Sequence, residues 1–245
     1  MPDSRSHRGP HPEDRGLFKP GTQDLLRAAV YDFCWLLSRG YNDHSALKIV
    51  GDRYALAKRQ RTAVSRVSCS DVALCERRAK LVQPEQIRGA VLNLDGFNLL
   101  TTIEAALSGG VVLGCRDASF RDLASVHGTW RRVSETARAL ELISRMIAAL
   151  EPAECRWYLD RPVSNSGRLR ALLLNHAASV QLPWTVELVN DPDQVLSQAE
   201  GIAVTSDSQI INRCKAWFNF GRLIVEEHIA SAWIVDLGID YAIES

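Results

Sequence analysis

The chain has 245 residues, of which 46% are hydrophobic and 24% are charged, a composition typical of a soluble globular protein. Its 29 Lys and Arg residues balance its 29 Asp and Glu residues, so the net charge gives no support for strong nonspecific binding to nucleic acid. The cysteines show no zinc-ligand spacing, and no segment approaches the roughly 18 consecutive apolar residues that span a bilayer. We therefore expect a cytoplasmic protein with reduced thiols and no membrane partner.

The first 21 residues are rich in Pro, Gly, Arg, Asp and His, and they contain little that can pack beyond Leu17 and Phe18. This composition predicts a disordered tail over residues 1–21.

From Thr22 onward, apolar residues recur at the spacing of a helix, and Gly40 suits the left-handed position that ends it. Residues 45–54 and 58–69 are typical of two further short helices. A Gln-Pro-Glu sequence at residues 83–85 then marks a junction. We predict a small helical domain over residues 22–85.

Beyond the junction, short apolar runs alternate with helical stretches, the pattern of a three-layer α/β domain with a mainly parallel sheet. The predicted strands are residues 90–94, 111–115, 156–159, 185–189 and 202–205. The predicted helices are residues 99–108, 134–150, 167–180, 192–198, 208–217 and 222–230, with a candidate edge strand at 232–237. We predict a Rossmann-like domain over residues 86–245.

Four of the apolar runs end on an aspartate, and these residues are Asp95, Asp117, Asp160 and Asp207. Ligands of open α/β sheets bind in the crevice beyond the carboxyl ends of the strands, so we expect these carboxylates to lie near one another. Gathered carboxylates repel one another unless a cation lies between them, and Mg²⁺ and Mn²⁺ prefer oxygen ligands. The pattern predicts a Mg²⁺ or Mn²⁺ site, with Asp122 as a further candidate ligand.

The motifs around these aspartates have two interpretations. After the first strand, Gly96 permits a sharp turn that places Asp95 and Asn98 on one rim, or Asp95 only caps the following helix. Asp207, in the Thr-Ser-Asp-Ser sequence at residues 205–208, has the same two interpretations. The recurrence of aspartate favours a site, because Ser, Thr or Asn would cap a helix equally well.

Two loops contain candidate substrate-binding residues. In the loop at residues 116–122, Arg121 is a candidate phosphate ligand, or the charges of the loop neutralise one another at the surface. In the loop at residues 160–167, Ser164 and Ser166 beside a helix N-terminus offer donors to an anion. The alternative is an ordinary Pro-containing loop in which Ser166 caps the helix.

The helical domain is basic, with nine Lys or Arg residues and three acidic residues between Lys48 and Lys80. Arg59 and Arg61 lie at the start of the second of two short helices, an arrangement compatible with a helix-turn-helix that contacts nucleic-acid phosphates. Alternatively, the basic face only solvates a small helical unit.

The segment LLSRGYNDHSALKIVGDRYALAKRQRTAVSR, followed by LDGFN, CRDASFRD, YLDRPVSNSG and TSDSQII, resembles a prokaryotic family. That family is the domain of unknown function 434 with its companion C-terminal domain. More remotely, the Asp-Gly-x-Asn motif at residues 95–98 and the Thr-Ser-Asp-Ser motif resemble the PIN/NYN class of metal-dependent ribonucleases. In that class strand-end acids hold Mg²⁺ or Mn²⁺ around an activated water. The resemblance implies a PIN-like fold and metal-ligand roles for Asp95 and Asp207, with Asp160 as a third ligand. The loops at residues 116–122 and 160–167 depart from the usual pattern of the class.

Together these features predict a metal-dependent nuclease that hydrolyses phosphodiesters, with RNA favoured over DNA. Its predicted catalytic residues are Asp95, Asp160 and Asp207, assisted by Asp117 or Asp122. The residues predicted to orient the substrate are Asn98, Arg121, Ser164 and Ser166, and Arg59 and Arg61 are predicted to hold flanking RNA. The alternative is a noncatalytic module that binds a nucleotide, RNA or a protein partner at the same rim. The sequence does not indicate an oligomeric state.

Overall fold

The computed structural model describes residues 7–123 and 128–238. The helices of these ranges are α1 (Asp14–Leu17), α2 (Pro20–Ser38), α3 (Asp43–Arg53), α4 (Lys58–Val67), α5 (Asp71–Ala79), α6 (Gly96–Leu107), α7 (Thr136–Leu150), α8 (Ser166–Ser179), α9 (Pro192–Gln198), α10 (Ser208–Arg213) and α11 (Phe220–His228). The strands are β1 (Leu81–Val82), β2 (Val91–Asp95), β3 (Val111–Gly114), β4 (Phe120–Asp122), β5 (Glu154–Asp160), β6 (Trp184–Val189), β7 (Ile202–Val204), β8 (Trp217–Phe218) and β9 (Trp233–Asp236). A 3₁₀ turn lies at Pro84–Gln86.

The larger sheet has six strands in the order β1-β8-β7-β2-β5-β6, and its neighbouring strands pair in parallel. Alternate residues of a strand face opposite sides of the sheet. Leu92 and Leu94 pack with α6, α7, α8 and α11 on one face, whereas Ala203 and Trp217 pack with α9 and α10 on the other. Helices therefore cover both faces, which explains the continuous apolar runs and confirms the predicted α/β class with a mainly parallel sheet.

The order in which the chain fills this sheet reverses next to β2. From β2 the chain moves to β5 and β6 on one side, and it then returns to place β7 and β8 on the other side. In open parallel sheets such a reversal opens a crevice at the carboxyl ends of the two strands that flank it. Here those strands are β2, which ends at Asp95, and β7, which is followed by Thr205 and Ser206.

A second sheet of three strands has the order β4-β3-β9. Its central strand pairs antiparallel with β4 and parallel with β9. Val111 and Leu113 of β3 pack with α2, α3 and α4, whereas Val112 packs in the core cluster of α6. Because both faces of β3 are covered, its apolar run resembles a strand of the main sheet. Our expectation that Asp117 lies at the edge of the main sheet is therefore wrong.

In the helical region, α2 to α5, the first three helices share their core with the second sheet. Val30 and Phe33 of α2 and Val64 of α4 are buried in one cluster with Leu113 and Val235. This differs from a helical domain that ends at residue 85, because β3 and β9 supply the apolar surface on which the helices pack.

The N-terminal residues pack against the rest of the chain from residue 7 onward. Phe18 is fully buried, and the buried Asp14 pairs with Arg59 at an Oδ1–Nε distance of 2.6 Å. The prediction of a disordered tail is therefore wrong for residues 7–21, since one buried aromatic ring and one paired carboxylate anchor a segment of otherwise polar composition. Residues 1–6 of that prediction lie outside the described residues.

Two C-terminal elements differ from their predicted form or place. The predicted helix at residues 208–217 ends at Arg213, and Trp217 and Phe218 instead form β8 between β1 and β7. The indole of Trp217 donates to the carbonyl oxygen of Arg77 at 2.8 Å, which fixes it beneath α5. The predicted edge strand at residues 232–237 forms β9, at the edge of the second sheet rather than the first.

None of the helices within residues 7–123 and 128–238 combines the length and the apolarity needed to cross a membrane.

Candidate active site

The two motifs that follow β2 and β7 meet at the carboxyl ends of these strands. The Thr205 hydroxyl donates a hydrogen bond to Asp95 Oδ2 at 2.9 Å. The backbone N–H and the hydroxyl of Ser206 both donate to Asn98 Oδ1, at 2.9 and 3.0 Å. The structure therefore brings together Asp95, Asn98 and the loop that contains Asp207.

A crevice of about 340 Å³ opens between these motifs, β4 and the end of α4. Its lining residues are Arg66, Asp95, Phe97, Asn98, Thr101, Arg121, Asp122, Ser206, Asp207 and Ser208. Carboxylates that suit a cation thus share one crevice with guanidinium groups that suit a phosphate. The volume is in the range of small-molecule sites in proteins.

The environment of Asp95 favours its protonated form. Desolvation is the main cause of a pKa of about 7 for this carboxyl group. Hydrogen bonds from Thr205 and from the backbone N–H of Asn98 oppose the shift, and the negative charges of Asp207 and Asp193 add to it. A group with this pKa exchanges its proton near neutral pH, and such groups occur often at active sites.

Asp95 and Asp207 also cap helices. The Asp95 carboxylate accepts from the N–H of Asn98 at 3.3 Å, at the start of α6. Asp207 Oδ1 accepts from the N–H groups of Gln209 and Ile210 at 2.7 and 3.4 Å, at the start of α10. The capping interpretation is correct for both residues, but it does not exclude a site, because Asp207 Oδ2 takes part in neither bond.

Asp160 ends β5 but does not line the crevice. In the register of β2 and β5, Asp95 lies opposite Tyr158, so Asp160 lies two residues farther along the strand direction. Burial and the charge of Asp191 raise the pKa of Asp160. Because of this two-residue offset, Asp160 lies beside Val189, the last residue of β6. It does not line the crevice that Asp95 and Asp207 share, in contrast to our expectation for the strand-end aspartates.

Asp193 is an acidic residue of this rim that the sequence analysis missed. It lies in the first turn of α9, and its pKa is raised by burial and by the charges of Asp207, Asp191 and Asp160. It is also near enough to Asp95 to affect the pKa of that residue. The signal was present, because the strand at residues 185–189 is followed by Asn-Asp-Pro-Asp.

Asp117 belongs to a buried ionic network. Its Oδ2 accepts from Arg77 Nη1 and Arg121 Nη2, each at 2.6 Å, and its Oδ1 accepts from the Ser119 hydroxyl at 2.6 Å. Burial works to raise the pKa of Asp117, but the two guanidinium groups outweigh it and lower the pKa to about 2. Asp117 is thus an internal counterion whose two oxygens have protein partners, which does not support its predicted metal-ligand role.

Arg121 positions the site rather than binding a substrate. Its side chain is buried, and its Nε donates to the carbonyl oxygen of Ser206 at 2.6 Å. Because the same guanidinium is held by Asp117, it ties the loop of Asp207 to the second sheet. These contacts do not support the prediction that Arg121 binds phosphate.

Asp122 lines the crevice at the end of β4. Its Oδ2 accepts from the Thr102 hydroxyl at 3.1 Å, and its Oδ1 lies 3.9 Å from Arg66 Nη1. The structure therefore places Asp122 beside a protein cation.

The two serines predicted to bind substrate do not line the crevice. Ser164 forms a bridge with Thr129, and its carbonyl oxygen accepts from the Trp130 N–H at 2.9 Å. Ser166 is buried at the start of α8, and its hydroxyl donates to the carbonyl oxygen of Arg161 at 3.4 Å. These contacts lie within or beside the loop at residues 160–167 and give the two serines structural partners. The alternative that Ser166 caps the helix is wrong, because Asn165 is the N-cap of α8 and the Ser166 hydroxyl donates to a carbonyl oxygen.

Arg59 and Arg61 do not line the crevice either. Arg59 pairs with Asp14, and Arg61 pairs with Asp52 at an Nη2–Oδ1 distance of 2.8 Å. Arg59 thus ties the N-terminal segment to α4, and Arg61 ties α3 to α4, which does not support their predicted contact with nucleic acid.

Two family models match this chain. Residues 84–223, more than half of the chain, match the model described as Domain of unknown function (DUF5616). The chain belongs to the DUF5616 family. Residues 25–80 match the model described as Protein of unknown function (DUF434). Asp95 and Asp207 lie within the DUF5616 match, whereas Arg66 lies within the DUF434 match.

A relative of this DUF5616 family member occurs in Methanocaldococcus jannaschii and is described as Uncharacterized protein MJ0935. It is 30% identical over 186 residues, which cover 76% of this chain and 88% of that protein. No solved structure matches this chain.

Within the described parts of this DUF5616 chain, no group of three or more His, Cys, Asp or Glu side chains is arranged to hold a metal ion.

Proposed function

We propose that this protein is a metal-dependent ribonuclease that hydrolyses phosphodiesters in the crevice beside β2 and β7. The main support is the hydrogen-bonded pair of motifs, which puts Asp95 and Asp207 at the carboxyl ends of adjacent parallel strands. The same two motifs resemble the PIN/NYN class of ribonucleases. A PIN-like, Rossmann-like arrangement of the larger sheet is part of the proposal.

The donor set of the crevice suits Mg²⁺ or Mn²⁺. These hard cations take oxygen ligands, and Mg²⁺ usually binds one or two carboxylates while water and substrate phosphates complete its shell. Asp95 and Asp207, which both line the crevice, are the two carboxylates that would hold it. Burial and the neighbouring negative charges disfavour the ionised form of Asp95, and a bound cation would reverse that preference.

When bound, the ion would supply a water of lowered pKa and a Lewis acid at the phosphate. Without the ion, Asp95 holds a proton up to a pKa of about 7, and binding of the ion would release that proton, so metal affinity should rise with pH. Asn98 is suited to orient the phosphate. The Ser206 N–H can only donate a hydrogen bond, so the Asn98 side-chain atom that it contacts must be the oxygen, Oδ1. The Asn98 Nδ2 group can therefore donate hydrogen bonds to a phosphate oxygen.

The test is cleavage of end-labelled single-stranded RNA in Mn²⁺, Mg²⁺ or EDTA. Wild type should cleave with either metal and not in EDTA, and Asp95→Asn and Asp207→Asn should each abolish cleavage. Asp24→Asn, at an exposed residue of α2, is the matched control and should cleave like wild type. Asp160→Asn should retain most activity, because Asp160 does not line the crevice. Absence of cleavage by wild type, or cleavage that survives in both crevice variants, would contradict the proposal.

A noncatalytic RNA- or nucleotide-binding module is the second candidate. It is favoured by the finding that no three metal-ligating side chains converge within the described residues. Such a module would bind the labelled RNA equally well in EDTA and in Mn²⁺, and it would cleave none of it. Binding and cleavage measured on the same samples distinguish the two functions.

A further inference from the structure

Arg66 is a crevice residue that comes from a different part of the chain than the acids it faces. It lies in the last turn of α4, within the helical region, yet it lines the crevice together with Asp95 and Asp207. Neither the metal site nor the positioning network described above uses its side chain.

The second sheet fixes Arg66 at this place. Its guanidinium Nη1 donates to the carbonyl oxygen of Asp122 and lies 3.9 Å from the carboxylate of the same residue. Its own carbonyl oxygen accepts from the Arg121 guanidinium. One residue later, the carbonyl oxygen of Val67 accepts from the N–H of Arg116 at 2.9 Å. The end of α4 is thus attached to the β3–β4 hairpin, which places its last arginine at the crevice.

The distribution of charge gives Arg66 a particular role among the lining residues. The acids Asp95, Asp122 and Asp207 line the crevice, and the cations among its lining residues are Arg66 and Arg121. Arg121 is enclosed, with 6% of its side-chain surface exposed, and it is neutralised by Asp117. Arg66 lies 3.9 Å from the Asp122 carboxylate, yet 34% of its side-chain surface is exposed, against 6% for Arg121. An anionic ligand in this crevice is therefore expected to lie against Arg66.

The crevice also offers a surface to a base. Phe97 lines it and is half-buried, with one part packed on the core. Aromatic side chains beside a positive group are typical of sites for single-stranded nucleic acid, in which unpaired bases stack on the ring. A duplex keeps its bases stacked inside the helix and cannot use such a surface.

On the basis of the nuclease function above, we propose that Arg66 binds a backbone phosphate of single-stranded RNA in the crevice. The helical region thereby contributes to the site through Arg66, rather than through Arg59 and Arg61. The DUF434 and DUF5616 parts of the chain form one binding site.

The experiment measures binding of a short fluorescein-labelled single-stranded oligoribonucleotide to the full chain by fluorescence anisotropy. Ca²⁺ replaces Mn²⁺ to disfavour turnover, and the salt concentration is varied. The variants are Arg66→Gln, Arg66→Lys and the control Arg138→Gln, at an exposed arginine of α7 paired with Glu141. Circular dichroism verifies that each variant is folded.

Arg66→Gln should raise Kd about tenfold, the scale of a lost charge-assisted hydrogen bond. It should also reduce the slope of log K against log salt by about 0.7, the value for one phosphate contact on a single strand. Arg66→Lys should restore most of the affinity because it keeps the charge, and Arg138→Gln should bind like wild type. A duplex of the same sequence should compete poorly.

Wild-type affinity in Arg66→Gln, an equal loss in Arg138→Gln, or no RNA binding by wild type would each overturn the assignment of Arg66. Cleavage assays in Mn²⁺ separate this outcome from failure of the proposed function. Binding that depends on Arg66 without any cleavage would refute the nuclease and leave the role of Arg66 standing. Cleavage and binding that are unaffected by Arg66→Gln would refute that role and leave the nuclease standing.

Discussion

Replacing Asp95 with asparagine is expected to stabilise the fold at neutral pH while it removes activity. Desolvation raises the pKa of Asp95 to about 7 from the 3.8 of an ordinary aspartate. Between these two values the folded state holds a proton that the unfolded state has released. The stability of wild type therefore falls as the pH rises through this window, and the whole loss is present above pH 7.

The size of the effect follows from the width of the window. Each pH unit changes the free energy of unfolding by about 1.4 kcal/mol per proton, so roughly three units set a ceiling of about 4 kcal/mol. Because Asp95 as a whole residue is half-buried and lines the crevice, solvent screening reduces this figure, and we expect about 2 kcal/mol. Asp95→Asn does not ionise, so its stability advantage over wild type should grow from pH 4 to pH 7 and then stay constant.

Urea unfolding followed by tryptophan fluorescence, in EDTA at pH values from 4 to 8, measures this difference. Asp24→Asn makes the same change of charge at an exposed residue and serves as the control. Parallel stability curves for wild type and Asp95→Asn across the whole range would refute the reasoning. A wild-type curve that rises between pH 4 and pH 7 relative to the variant would also refute it.

Three further substitutions test the fold. Asp117→Asn removes the counterion that two buried arginines share and should cost about 3–5 kcal/mol of unfolding free energy, measured by urea titration. Asp14→Asn weakens the pair with Arg59 and should increase cleavage of the N-terminal segment in limited proteolysis, whereas unchanged cleavage would argue against its packing. Gly96→Ala places a Cβ 2.5 Å from Leu159 Cδ2 and should destabilise the fold by about 1–3 kcal/mol, seen as a lower Tm.

The strands of the main sheet could be predicted because helices cover both of its faces and leave continuous apolar runs in the sequence. An apolar run does not, however, indicate which of the two sheets its strand belongs to. The run at residues 111–115 is also covered on both faces, by α6 on one side and by the helical region on the other. Its composition is therefore that of a main-sheet strand, although its partners are β4 and β9.

The juxtaposition of Asp95 and Asp207 could be predicted because each ends an apolar run and β2 and β7 are neighbours. The environments of the other acids depend on long-range pairing that local sequence does not encode. Asp160 is displaced by the register of β5 against β2. Asp117 is neutralised by Arg77, which lies 40 residues earlier in the chain, on a helix that sequence periodicity alone did not place near it.

The core that the helical region shares with the second sheet can be completed only after β9 has been synthesised. Val235 and Leu237 pack in the same cluster as α2 and α4, about two hundred residues later in the chain. The helices and β3 emerge from the ribosome long before β9 does, so the part of their apolar surface that Val235 and Leu237 cover stays exposed until β9 is made. Contacts of such sequence separation form slowly, and the exposed surface is prone to association while it waits. The shared core is thus expected to reach its final packing only after β9 has been made.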